Sequence, residues 1–399
     1  MTPPAPYRPP NIDFDDYTRA LRGKTPGELR AAQFVLSTIQ KPWLLRSGTA
    51  LARLGLALRI PGTEAALAAT VFRQFCGGTS LEEALDCAGR LYQRGIGSIL
   101  DYAVEGEDDE ADFDQVTAEI DRVVLAAAQR EDVAFGAIKL TGVARTALLE
   151  AMDEGRSLTA GEREEWARAQ ARLQRVAQRA ADSNTAFFID AEHSWIQDAI
   201  DAEADRMMAQ FNRERAVVHT TVQLYLQAGL PSLRAAVERA RAGGYRFGCK
   251  LVRGAYMEQE NERAAARGEP SPIQPSKQAT DRDYDAALTY CLENLDVVEV
   301  CAATHNVDSV RHLIGEMSRL GIAADDPRVC SSQLLGMFDR VTVPLAENGY
   351  RVHKYVPYGA VRDAFPYLLR RADENRSVAQ QLASELSAVR DEIARRARS

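Results

Sequence analysis

Two arginines stand side by side at Arg370 and Arg371, in the stretch Phe365–Asn375 that reads F-P-Y-L-L-R-R-A-D-E-N. A guanidinium fork grips a carboxylate or phosphate in a bidentate way that an ammonium cannot match. Neighbours on a helix diverge by roughly 100°, so both arginines can hold one anion only from the rim of a pocket. Glu374 follows at the spacing of a helical turn and is placed to orient one of them. Taken alone, the pair also reads as a solvated basic spot on a helix face. The preceding text changes that balance. Tyr355-Val356-Pro357-Tyr358-Gly359 reads as a short strand and a turn, which puts the pair about one turn into the next helix.

A pocket needs elements to build it, and the chain supplies a regular set. Short apolar or β-branched runs occur at Ser98–Val104, Ala134–Leu140, Ala186–Asp190, Ala216–Gln223, Arg246–Val252, Val297–Ala303, Arg328–Ser332 and Arg351–Val356. Amphipathic helical patterns such as Leu230–Ala242, Asp281–Asn294 and Val307–Leu320 lie between them. This alternation predicts a parallel sheet with crossover helices. Such a number of units in this length suits a closed (βα)8 barrel, class α/β, better than an open sheet. We expect an N-terminal helical arm over 1–95, the barrel over 96–380 and a C-terminal helix over 381–399. Ser80-Leu81-Glu82-Glu83 reads as a capping box, Glu105–Asp114 as a solvated acidic loop, and Leu148–Ala181 as a helical hairpin inserted on the outside.

Barrels of this kind do chemistry at the C-terminal ends of their strands. The polar residues falling there are Lys139, Asp190, Glu192, Gln223, Tyr225, Lys250, Arg253, Tyr256, Thr304, His305, Asn306, Gln333, Lys354 and Tyr355. Each alone has a core or capping explanation, but together they share one mouth. Lys139, Arg370 and Arg371 suit a small anion, and Lys250 and Arg253 suit an anionic cofactor. Gly254 offers close backbone approach to a ring or phosphate. No G-x-G-x-x-G follows a strand, and neither a phosphate-binding P-loop nor a G-x-S-x-G elbow is present.

Composition sets outer limits. The chain has 399 residues, 46% hydrophobic and 27% charged, as expected for a globular protein. A net charge of −8 gives no broad positive field for nucleic acid. The cysteines show no C-x-x-C spacing, which suggests buried free thiols in a reducing compartment. The histidines show no zinc-type spacing, so no metal is expected. The Pro-rich start lacks a secretory pattern. Leu44–Ile60 is apolar but punctuated by arginines, a pattern open to membrane-surface contact as well as to packing on the protein itself.

The motifs Asp190-Ala191-Glu192, Lys250–Tyr256 (K-L-V-R-G-A-Y), Ala303-Thr304-His305-Asn306, Gln333–Met337, Lys354–Gly359 and Tyr367–Arg371 with Glu374-Asn375 occur in order along the chain. In this set the sequence resembles the proline dehydrogenase family, and the wording is closer to its mitochondrial-type members. Lys250 stands where many bacterial members have arginine, and Arg253 where they have lysine, which leaves open which of them meets the flavin. The resemblance implies a (βα)8 flavoenzyme. It would oxidise L-proline to Δ1-pyrroline-5-carboxylate by hydride transfer from C5 to N5 of non-covalent FAD, with quinone as electron acceptor.

By the same resemblance Lys139, Arg370 and Arg371 hold the substrate carboxylate, and Tyr256, Leu335 and Tyr355 shape the ring pocket. Asp190 and Lys250 are the residues implied at the reacting centre, with Asp190 fixing its neighbours. Ala191, Gln223, Lys250, Arg253, Gly254, Ala255, Lys277, Thr280, Thr304, His305 and Glu374 fall at cofactor-binding positions. A pyrroline-5-carboxylate dehydrogenase is a conceivable partner. The expected location is cytoplasmic, with room for peripheral contact with the inner membrane. Two other readings stay open, a Schiff-base aldolase using Lys139 or Lys250 and a non-enzymatic helical adaptor.

Overall fold

The computed structural model describes residues 12–39, 51–52, 54–55, 58–68, 72–104, 108–365, 367–368 and 379–398. Parallel strands close into a barrel in chain order: β1 (Gly97–Tyr102), β2 (Val133–Ile138), β3 (Phe187–Ile189), β4 (Val218–Gln223), β5 (Phe247–Val252), β6 (Val298–Ala303), β7 (Val329–Leu334) and β8 (Val352–Tyr358). The seam is the β1–β8 pairing, which runs from Gly97 opposite His353 to Tyr102 opposite Tyr358.

Helices wrap this barrel and extend from it. In chain order they include α1 (Tyr17–Arg22), α2 (Pro26–Ile39), α3 (Leu81–Tyr92), α4 (Glu110–Ala127), α5 (Thr146–Asp153), α6 (Ala160–Asp182) and α7 (Ser194–Phe211). Next come α8 (Gly229–Gly243), α9 (Met257–Arg267), α10 (Lys277–Glu293), α11 (Val307–Leu320), α12 (Asp339–Glu347) and α13 (Ala379–Arg396). Among the described residues, no helix is long and apolar enough to cross a membrane. In the Leu44–Ile60 stretch, the described Leu51, Leu54, Leu58 and Ile60 are exposed.

Strand side chains alternate between faces. Ile99, Phe135, Ala137, Phe188, Cys301, Cys330 and Tyr355 therefore meet inside the barrel, while the opposite face joins the larger core beneath the helices. Toward the N-terminal ends of the strands the interior is packed with rings. Phe135 lies 4.6 Å from Phe188, 5.3 Å from His219 and 5.8 Å from His353, centroid to centroid. Burial pushes both imidazoles down to about 3, so they are neutral core rings. All six cysteines are buried free thiols.

Several local expectations are corrected. Ser80 caps α3 by accepting from the Glu83 amide, but the Glu83 carboxylate returns to the amide of Thr79 rather than to Ser80. A reciprocal capping box occurs instead at Thr159 and Glu162. The acidic run is partly helical: Asp109 caps α4, and Glu110 in its first turn pairs with Arg168 and Arg172. Acidic residues favour that end of a helix. The presumed external hairpin contains α6, which packs on α4 and α7 as the crossover between β2 and β3. Its Ala169, Leu173, Val176, Ala177 and Ala180 form one buried stripe.

Candidate active site

The strand alternation that fills the interior continues upward and delivers polar side chains to the C-terminal mouth. Asp101 ends β1, Lys139 follows β2, Asp190 follows β3, and Thr221 and Gln223 close β4. Lys250 comes from β5 and Tyr355 from β8. All line one cavity of about 530 Å³, together with Ala191, Arg253, Gly254, Ala255, Tyr256, Lys277, Thr304, His305 and Tyr367.

Asp190 organises the β2–β3–β8 side. Its carboxylate is ion-paired with Lys250, accepts from the Tyr355 hydroxyl at 2.5 Å, and lies 3.8 Å from Lys139. Burial opposes its ionisation, but Lys250 and Lys139 outweigh that and hold its carboxyl below the usual range. Lys139 also faces Asp101 at 3.4 Å. The Lys250 ammonium sits 4.8 Å from the centre of the Tyr355 ring and 4.9 Å from that of Phe188. Burial, followed by the negative charge of Asp101 and Asp190, pushes the Tyr355 phenol well up, so it is a hydrogen-bond donor and not an acid. A lysine that attacks carbonyls needs a free amine; both of these ammonium groups face carboxylates, which argues against the Schiff-base reading.

The β5–β6 side is built differently. Arg253 gives one N–H of each guanidinium nitrogen to the protein: Nε donates to Asp281 at 2.8 Å, Nη1 to Thr304 at 2.8 Å and Nη2 to Ser309 at 2.9 Å. Lys277 pairs with the same Asp281 at 2.6 Å. Partial burial raises the pKa of Asp281, but hydrogen bonds from Lys277 and Arg253 prevail and lower it. The backbone amide of Leu334 donates to His305 Nε2 at 3.1 Å, which leaves Nδ1 to carry the imidazole proton. Gly254 has φ 139°, and a Cβ there would lie 2.3 Å from the Tyr225 ring. The Tyr225 ring therefore leaves no room for a side chain at this position of the cavity wall.

The sequence-expected residues do not all arrive. Leu335 turns outward and packs on the cluster around Leu81 and Tyr358, because it is out of phase with the inward Leu334, which lines the cavity. Thr280 sits on α10 and donates back to the Ser276 carbonyl at 3.4 Å, and it is not among the described lining residues. Gln333 does line the cavity, with its carboxamide oxygen accepting from Thr342 on α12. Lys354 points outward to Asp339 at 2.8 Å, where Lys24 also pairs at 2.9 Å. Arg370, Arg371 and Glu374 lie outside the described residues. Asp101 and Tyr367 were missed; the signal available for Asp101 was a lone carboxylate ending the Ser98–Leu100 run.

A family model described as proline dehydrogenase matches residues 84–384. The chain belongs to the proline dehydrogenase family. It is 38% identical over 235 residues to proline dehydrogenase 1, mitochondrial, of Drosophila melanogaster, covering 56% of this chain and 34% of that protein. The chain thus spans about a third of that relative's length. It is 32% identical to hydroxyproline dehydrogenase of Bos taurus, covering 94% of this chain and 91% of that protein. Proline utilization A from Bdellovibrio bacteriovorus shares the fold, with a TM-score of 0.71 at 20% identity over 92% of this chain and 39% of that one.

Proline dehydrogenases imply a flavin, and the cavity wall fits one. Arg253 and Lys277 supply positive charge, and Thr221 Oγ1 is buried on the wall with no hydrogen-bond partner among the described residues. Among the described residues, no group of three or more His, Cys, Asp or Glu side chains is arranged to hold a metal.

Proposed function

We propose that this chain oxidises L-proline to Δ1-pyrroline-5-carboxylate with FAD, the first step of proline catabolism, and passes the electrons to a quinone. The observation that carries the reading is the shared cavity, in which the Lys139–Asp190–Lys250–Tyr355 cluster faces the Arg253–Thr304–His305 wall. Bound FAD would supply the acceptor for the hydride leaving ring carbon C5. Arg253, Lys277, Gln223, Thr304 and His305 would hold it, with the Ala191 and Gly254–Ala255 backbone beside its ring.

The chain's own residues do the remaining work. Lys139, with Arg370 and Arg371, grips the substrate carboxylate and so fixes which ring carbon is presented. Asp190, held ionised by its lysines, is a weak base; its task is to lock Lys250 and Tyr355. Lys250 thereby presents a fixed positive charge where negative charge develops, which needs no reorganisation during the reaction. Tyr256 and Tyr355 exclude water from the ring. The product would be consumed by a pyrroline-5-carboxylate dehydrogenase. The exposed Leu51, Leu54, Leu58 and Ile60 suit peripheral contact with a membrane from the cytoplasmic side.

The test is product formation. FAD-loaded protein given L-proline and a soluble quinone should yield an imine that o-aminobenzaldehyde traps as a coloured adduct. No adduct from protein with full FAD occupancy would overturn the reading.

A further inference from the structure

The proposed function gives Tyr256 a place on the substrate wall but does not say what fixes its ring. Tyr256 ends the β5 loop and is buried. Its ring is tilted against His193 with 4.3 Å between centroids, and His193 stacks on Trp195 at 4.4 Å and 21°. The guanidinium of Arg263 lies over the Trp195 ring, 4.4 Å from its centroid, and is ion-paired with Glu150. A chain of ring and cation contacts therefore runs from half-buried residues on α5, α7 and α9 to the cavity wall. The same two loops are clipped again at Glu260, which is 1% exposed and accepts from the Ser194 amide at 2.7 Å and from its hydroxyl at 2.5 Å. Glu260 is itself one turn from Tyr256, its amide donating to the Tyr256 carbonyl at 2.9 Å.

We infer that His193 is a positioning residue for substrate binding, acting as the middle ring that holds Tyr256 against the cavity. It joins the β3 loop carrying Asp190 to the β5 loop carrying Arg253 and Tyr256. Its contribution is a flat, packable face on each side, and Phe supplies that equally well whereas Ala and Gln do not. The inference rests on the reading of the cavity as a proline site, and its test includes a readout that does not require turnover.

His193→Ala, His193→Gln and His193→Phe are compared as FAD-loaded full-length protein; His193→Gln serves if the alanine variant fails to fold. Loss of an aromatic stack predicts KM for L-proline raised about five- to tenfold, with kcat and flavin content changed less than about twofold. His193→Phe restores KM. In a Tyr256→Ala background, His193→Ala adds no further rise, because the ring to be held is gone. Independently of turnover, 3-fluorotyrosine labelling gives a 19F resonance for Tyr256, assigned by Tyr256→Phe. That resonance moves in His193→Ala or His193→Gln and returns in His193→Phe. An unmoved resonance, or a KM rise of equal size with and without Tyr256, would overturn the inference. Failure of the unmodified protein to oxidise L-proline would instead refute the proposed function and leave the 19F result to decide the role of His193.

Discussion

Tyr355 is where a choice between L-proline and trans-4-hydroxy-L-proline would be made. The residue is 8% exposed, and its hydroxyl donates to Asp190 at 2.5 Å. Asp190 is in turn fixed by Lys250 and Lys139. The ring cannot swing aside without breaking a charge-assisted hydrogen bond worth about 1.5–3 kcal/mol. A 4-hydroxyl pressed against it meets overpacking of about 1–3 kcal/mol and leaves an unpaired buried hydroxyl at about 1–3 kcal/mol more. Even the low ends of these ranges together give about 30-fold, and intermediate values give roughly 10²-fold or more. We therefore expect kcat/KM for L-proline to exceed that for the hydroxylated substrate by roughly 10² or more. Tyr355→Ser should narrow the gap, chiefly by losing activity on proline. Tyr355→Phe keeps the ring but frees it from Asp190, and should lower both values and narrow the gap less than Tyr355→Ser does. Equal kcat/KM for the two substrates in the unmodified protein, or a ratio unmoved by Tyr355→Ser, would refute the reasoning.

Three further substitutions have expected outcomes. Arg371→Lys keeps charge but loses the fork, and should weaken L-proline and tetrahydrofuroate binding by about 2–4 kcal/mol with near-normal FAD content; unchanged affinity for both ligands removes the clamp. Arg253→Lys cannot reach Asp281, Thr304 and Ser309 together, and should cost about 2–3 kcal/mol in denaturant unfolding with reduced FAD retention; an unmoved midpoint with full flavin counts against it. Glu385 on α13 is raised from 4.5 to about 7, by burial first and then by Asp339 nearby. The folded state therefore binds its proton more tightly than the unfolded one, so stability falls as pH rises from about 4.5 through about 7 and is level above. Melting curves between pH 5 and 8 should lose that slope in Glu385→Gln, and parallel profiles would show that Glu385 is not the source.

Much of this architecture could be read from residue order. Each of the eight sequence-derived runs overlaps a strand, because buried parallel strands are short, apolar and evenly spaced. Errors arose where local pattern does not encode direction or partner. Gln333 and Lys354 were placed at the rim by proximity to strand ends and Leu335 by resemblance; Gln333 does line the cavity, but the two-residue period turns Leu335 and Lys354 outward. Their neighbours Leu334 and Tyr355 line the cavity instead. The α6 segment looked like an insertion because its exposed face is so charged. Only the stripe from Ala169 to Ala180, with the buried Arg172 among it, marks it as a crossover. The Tyr256–His193 stack joins residues far apart in sequence, and no periodicity announces such a contact.

The most direct measurement is the absorption spectrum of the purified protein, before and after L-proline in the absence of oxygen. The account predicts a yellow protein that releases FAD on denaturation and bleaches with L-proline. A protein that cannot take up FAD under native conditions, or whose flavin spectrum L-proline leaves unchanged, would contradict it.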